Sequence, residues 1–351
     1  MKKSLLAAAA LGTFATMAHA QSSVTVYGLV DMGLVAESGG AAGSVTKLTS
    51  GVTSGSRLGF RGQEDLGGGL SALFVLENGL NADTGTAAQG GLLFGRLSYV
   101  GLKGGFGSMT FGRHLSPHYT GLLLVADPFA TGYAGQAQNL MANPNGRFNN
   151  SIVYSTPVLN HFSGQIAYSF GESAGSTSDN SGYGISLDYA NGPLNVRAVY
   201  QTKDTTVGAT SNDAENMLLA SNYDFGPVKA YLSYGRDKGV GSSPFAAANP
   251  YGAAAAPAAS TDSAALLIGV AVPVGPNTIL ASYIRKDDKD AGNRDADQIA
   301  IGYVHPLSKR TNLYTAYARI NNKNGAAYTV NNASATGSGD KAFNLGIRHR
   351  F

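Results

Sequence analysis

The chain ends in Phe343–Phe351, FNLGIRHRF. Phe343, Leu345, Ile347, His349 and Phe351 fall on one parity; Asn344, Gly346, Arg348 and Arg350 fall on the other. An extended strand turns successive side chains to opposite faces, so this segment has one apolar and one polar face. The same period of two recurs upstream. In VTVYGLVDMGL (24–34), Val24, Val26 and Val30 oppose Asp31. In SRLGFRG (56–62), Arg57 and Arg61 share a parity while Leu58 and Phe60 take the other. Over 70–79, Leu70, Ala72, Phe74 and Leu76 oppose Ser71 and Glu77; over 93–101, Leu93, Leu97 and Tyr99 oppose Arg96 and Ser98. Alternation of this kind signals strands and excludes amphipathic helices.

The spacing between strands carries a second signal. Tight links are read at 62–69, 103–107, 156–161, 190–193, 224–227, 273–277 and 305–311. They interleave with longer ones near 37–50, 80–91, 114–146, 171–182, 203–213, 237–261, 287–295 and 321–340. Seven short turns between eight long connections imply sixteen strands, with fourteen or eighteen as the alternatives. Short turns at one end, long loops at the other and an even strand count describe an outer-membrane barrel.

Composition bounds the alternatives. Met1-Lys2-Lys3, an apolar run from Leu5 to Met17 and Ala18-His19-Ala20 read as a secretory signal over 1–20. A barrel domain is then expected over 21–351. The formal charge of +3 falls to +1 without Lys2 and Lys3, which gives no basic excess for a nucleic-acid partner. The chain has no cysteine, so disulfide frameworks and thiolate metal sites are excluded. Past the signal no apolar run reaches about 18 residues, so no membrane-spanning helix is read. Mean hydropathy is -0.05, which suits a barrel whose strands turn alternate side chains to lipid and water.

One connection stands apart: HLSPHYTGLLLVADPFATGYAGQAQNLMANPNG, 114–146. It shows neither a helical apolar stripe nor strict alternation, and a loop of this length is usually functional. It is read as folded into the lumen, narrowing a water-filled pore. Parity assigns Arg57, Arg61, Arg96, Arg147, Arg197, Lys229, Arg319, Arg348 and Arg350 to the inner face, against Asp31, Glu77 and Asp188. Arg113 is ambiguous, because it shares the parity of Met109 and Phe111. A basic excess on low-dielectric walls favours anions.

SSVTVYGLVD, SRLGFRGQEDLGGGLSALFVLE, LFGRLSYVGLKGGFGSMTFGR, RFNNSIVYSTP, YDFG, LSKRTNLYTAYA and the terminal Phe351 together resemble the general porins of Gram-negative bacteria. Leu97 departs from the polar residue expected there. The resemblance implies a trimeric sixteen-stranded transmembrane antiparallel β-barrel in the outer membrane, all-β, with its third outer loop inside. It implies passive passage of small hydrophilic solutes, with no enzymatic activity and no cofactor. It also implies contact with outer-membrane lipid and lipopolysaccharide, and recognition of the strand ending in Phe351 by the outer-membrane assembly machinery. Residue by residue, it places Arg57, Arg96 and Arg147 on a constriction wall with Glu77 nearby. Arg61 is a weaker member, and Asp127 is the acidic group expected to face them. A substrate-specific channel with a saturable sugar or anion site is the alternative.

Other signals are set aside. His114 and His118 lack a third metal ligand. DDKDAGNRDAD (287–297) lacks the order of a calcium loop and reads as a solvated outer loop, with weak divalent binding as its alternative. GLKGGFG joins two strands and opens no helix, so it reads as a hairpin turn. No G-x-S-x-G elbow supports a barrel hydrolase.

Overall fold

In a bilayer an unpaired backbone group costs several kcal/mol, so alternating strands can span only as a closed sheet. The computed structural model describes residues 23–41, 43–141, 146–207, 210–244 and 259–351. The expected export signal and most of the Ala/Pro-rich stretch 244–259 lie outside them. In chain order the strands are β1 (Ser23–Gly40), β2 (Gly43–Ser50), β3 (Arg57–Gly67), β4 (Leu70–Asn81), β5 (Thr86–Ala87), β6 (Leu97–Gly104), β7 (Gly107–Leu115), β8 (Arg147–Ser155) and β9 (Phe162–Ser169). They continue as β10 (Gly182–Asn191), β11 (Leu194–Val207), β12 (Thr210–Asp224), β13 (Lys229–Lys238), β14 (Asp262–Val274), β15 (Asn277–Asp288), β16 (Ala296–Pro306), β17 (Thr311–Asn322) and β18 (Lys341–Arg350).

Every wall contact is antiparallel, and the circuit closes where β1 pairs with β18, from Leu29 opposite Arg350 to Ser38 opposite Lys341. β2 and β3 pair with successive halves of β1, so they form one wall strand interrupted at 51–56. β5 only folds back on β4. The wall therefore has the expected sixteen strands. Short turns share the end at which β1 begins and β18 finishes. At one of them Gly67, Gly68 and Gly69 all have positive φ, the region that glycine enters without a Cβ penalty. Two links read as long are mostly ladder: β1 and β2 extend to Gly40 opposite Gly43, and β11 and β12 to Val207 opposite Thr210.

The two faces separate as the period of two requires. On β16, Ile299 and Ile301 are each 56% exposed, while Gln298 and Ala300 are buried. Leu266 and Ile268 on β14, and Phe343, Leu345 and Ile347 on β18, extend the same outer apolar band. Ring pairs lie near strand ends, including Phe162–Tyr189, Tyr223–Phe225 and Tyr168–Phe170, where amphipathic rings suit the interface.

The connection from β7 to β8 packs against the inner face. It contains α1 (Pro117–Gly121), capped by the Ser116 hydroxyl, a π-helical turn at Leu122–Ala126 and α2 (Gln138–Met141). Its Leu122, Ala126, Phe129, Ala134 and Leu140 are buried with Val199, Leu218, Leu267, Ala300 and Ala316 of the wall. Inner-face side chains also satisfy its backbone. Asn222 Nδ2 donates to Val125 O (3.0 Å), Ser233 Oγ to Ala126 O (3.3 Å) and Gln298 Nε2 to Gly135 O (3.0 Å). At the tip, the Tyr133 N–H donates to Val52 O (2.8 Å). A Cβ on Gly132 would stand 1.9 Å from Thr53 O, so only glycine fits this approach.

Asp127 holds the loop's own shape. Its Oδ1 accepts from the Phe129 N–H (2.9 Å), and its Oδ2 accepts from the N–H groups of Thr131 (2.9 Å) and Ala137 (2.8 Å). Ala130, Thr131 and Tyr133 within that span have positive φ, which is strained for residues bearing a Cβ. The carboxylate compensates that strain and is itself buried. Burial pushes its pKa up to about 6, against the three N–H donors that act to lower it. A raised carboxyl pKa gives stability that is complete below the ordinary 3.8 and lost as pH rises through about 6. Asp127→Asn retains neutrality at every pH. In thermal unfolding of the detergent-solubilised protein, wild type should lose about 2 kcal/mol relative to this variant between pH 4 and 7. A relative gain over that range would show that the N–H donors outweigh burial.

Candidate functional site

The loop fills one side of the barrel and leaves a cavity of about 840 Å³ on the other. Arg57, Arg96, Arg113, Arg147, Arg348 and Arg350 line it, with Glu77 as the one acidic side chain among the described lining residues. On the loop side it meets Tyr119, Leu123, Ala130, Thr131 and Gln138, none of them charged.

Glu77 is the hub of the basic wall. Its Oε1 accepts from Arg96 Nε at 2.7 Å and lies 3.8 Å from an Arg57 terminal nitrogen, while its Oε2 accepts from Tyr27 OH at 3.0 Å. The other guanidinium contacts are largely neutral. Arg57 Nε donates to Gly55 O (2.9 Å), Arg147 Nε to Arg96 O (3.1 Å) and Arg113 Nε to Gly95 O (2.8 Å). Arg113 also bonds Asn149, and Arg348 donates to Ser54 Oγ at 3.0 Å. Arg147 stands 5.9 Å over the Tyr119 ring, which joins the wall to the loop. Carbonyls and hydroxyls orient these groups without cancelling their charge, so the cavity keeps a positive field.

The structure brings Arg57, Arg96, Arg147 and Glu77 together. Arg61 lies apart, with its guanidinium 5.2 Å over the Tyr27 ring and outside the cavity lining. Asp127 is a correction: its carboxylate is turned into the loop to cap N–H groups, so it does not face the arginines. It is also the loop's only acidic residue. Asp31 faces inward but is fully buried, accepting from Thr53 N (2.8 Å), Thr53 Oγ (2.6 Å), Ser54 N (2.7 Å) and Tyr314 OH (2.5 Å). Asp188 is paired with Arg197.

Three parity readings also change. Arg96 precedes β6, and its backbone N–H donates to Glu77 O (3.1 Å), so a bend brings it inward and strand alternation does not. Within β6 the faces are the reverse of the reading: Val100 and Leu102 are exposed, while Leu97 lines the cavity and Tyr99 stacks on His114. Arg113 reaches the cavity beside a register shift between Gly112 and His114. Arg319 is exposed on the parity of Leu313 and Tyr317 and so faces outward. Near the end of β17, a charge facing lipid costs only about 0–1 kcal/mol. The sequence reading also missed the inward turn 51–56, whose signal was Gly51 and Gly55 interrupting a strand pattern.

A sequence profile of the family described as Gram-negative porin matches residues 7–325. An outer membrane porin protein of Bordetella pertussis is 34% identical, with both chains covered in full. Among solved structures, the anion-selective porin from Comamonas acidovorans superposes with a TM-score of 0.78 at 32% identity, covering 94% of this chain and 100% of that one. The trimer form of OmpT, an outer membrane protein of Vibrio cholerae, shares the fold at 16% identity, with a TM-score of 0.66 and coverage of 94% and 99%. With a closed barrel, an inner loop and a basic passage already established, the chain belongs to the Gram-negative porin family, an outer-membrane channel and not an enzyme.

Proposed function

We propose that the barrel is a general diffusion porin with a preference for anions, passing small hydrophilic solutes and ions beside the inner loop. The observation that carries this reading is the imbalance in the passage lining, six guanidinium groups against one acidic side chain among the described residues. A lumen walled by low-dielectric protein focuses that field and raises the local anion concentration. Arg57, Arg96 and Arg147 form the narrow wall with Glu77, and Arg113, Arg348 and Arg350 extend it. Arg61 acts away from the narrowest part, through its stack on Tyr27. The similarity to a structure named as an anion-selective porin supports the same reading.

The channel works as a homotrimer in this proposal, supported by the shared fold with an outer membrane protein solved in trimer form. Its final strand, ending in Phe351, is the part read by the assembly machinery. Phosphates of lipopolysaccharide meet its outer rim, where Arg319 stands directly opposite Lys341 on the outward face. Like charges so placed repel unless anions join them, and Asp340 Oδ1 already stands 3.9 Å from Lys341 Nζ.

Reversal potentials in a salt gradient test the charge preference. Arg96→Glu with Arg147→Glu should move them toward cation selectivity, and Glu77→Gln should move them further toward anions. Unchanged values in both would remove these residues from the pore wall. Conductance should also rise in near proportion to salt. Saturation by phosphate or by a sugar would instead establish a substrate-specific channel.

A further inference from the structure

Opposite the arginine wall, behind the loop, lies a charge pair with no contact to the passage. Lys286 on β15 is fully buried. Its Nζ donates to Leu140 O at 3.0 Å and to Asp237 Oδ2 of β13 at 3.3 Å, and it stands 5.9 Å over the Tyr328 ring. Asp237 is buried too, and its Oδ1 accepts from Asn216 Nδ2 at 2.6 Å. Burying two charges is costly, and an apolar pair of similar volume is often as stable or more so. Barrel stability alone therefore gives no reason for this pair.

Its geometry supplies one. The Lys286 ammonium ties a wall strand to a backbone carbonyl of α2, and a hydrogen bond from an ionised donor is stronger than one between neutral groups. Leu140 is two residues from Gln138, which lines the passage. A shift of α2 off the wall therefore moves the loop side of the passage. The neighbouring Asn139 Nδ2 bonds Gln298 Oε1 at 2.7 Å, and its Oδ1 accepts from the Asn331 N–H at 3.0 Å. These neutral contacts orient the turn, and Lys286 adds its ionic anchor.

We propose that Lys286, held by Asp237, is a positioning residue that fixes how far the loop stands from the arginine wall and so sets the width of the passage. This rests on the reading that solutes pass beside the loop. Neither residue lines the cavity, so they act on width and leave charge preference alone.

The test uses the full-length protein reconstituted in planar bilayers and in liposomes, as wild type, Lys286→Met, and Lys286→Met with Asp237→Leu. The single variant leaves a buried unpaired carboxylate and should unfold at lower temperature. The double variant should recover thermal stability, because no charge is left behind. Both should show higher single-channel conductance, greater open-channel noise and faster swelling with larger sugars, at an unchanged reversal potential. If conductance and noise return to wild-type values together with stability in the double variant, Lys286 serves the barrel alone and the proposal fails. Unaltered conductance in both variants also overturns it while leaving the channel reading intact. A wild-type protein that conducts nothing would sink that reading first. Should the single variant not fold, the double variant decides by itself.

Discussion

Backbone polar groups must find partners twice in this molecule. In the wall, the pairing of β1 with β18 removes the two sheet edges that lipid could not hydrate. Inside, a loop with three short helical pieces brings carbonyls and N–H groups into a confined space where water is partly excluded. Side chains of Asn222, Ser233, Lys286 and Gln298 meet those carbonyls from the inner face. Asp127 meets the N–H groups from within the loop. The loop is thereby part of the packed structure, and the passage is what it leaves uncovered.

That arrangement divides the lumen into unlike halves. Behind the loop, the inner faces of β14 to β17 carry Leu267, Ile284, Ala300, Ala316, Ala318 and Ile320, all buried in one apolar cluster with the loop. Across the passage stand the arginines. Burial of the loop's apolar residues favours its inward position at roughly 25 cal/mol per Å² removed from water. Close packing there resists the small displacements that would alter the opening.

Charge follows the same division. The formal balance is close to neutral at +3, yet the inward carboxylates are committed elsewhere. Asp31 accepts from the 51–56 turn and Tyr314, Asp188 faces Arg197, and Asp127 caps the loop. Among the described acidic side chains only Glu77 reaches the cavity, and it lies between Arg57 and Arg96. The passage is therefore positive because acids are used internally while guanidinium groups rest on carbonyls. Total charge carries no trace of this.

The sequence by itself determined the closed barrel. A period of two and alternating connection lengths are local properties, and a hydrocarbon solvent leaves one architecture that satisfies them. The inward placement of Arg57 and Glu77 followed from the same alternation. Tertiary structure decided the rest, wherever the ladder breaks or a group is claimed by a distant partner. A bend before β6 carries Arg96 inward and reverses the faces read for Leu97 and Tyr99, and a register shift accompanies Arg113 into the cavity. Arg319 obeyed alternation, but its face was read wrongly because a strand end tolerates outward charge. Asp127 and Asp31 are single acidic letters among polar neighbours. Whether such a carboxylate faces water or caps N–H groups depends on backbone brought beside it by the fold, and no spacing along the chain records that.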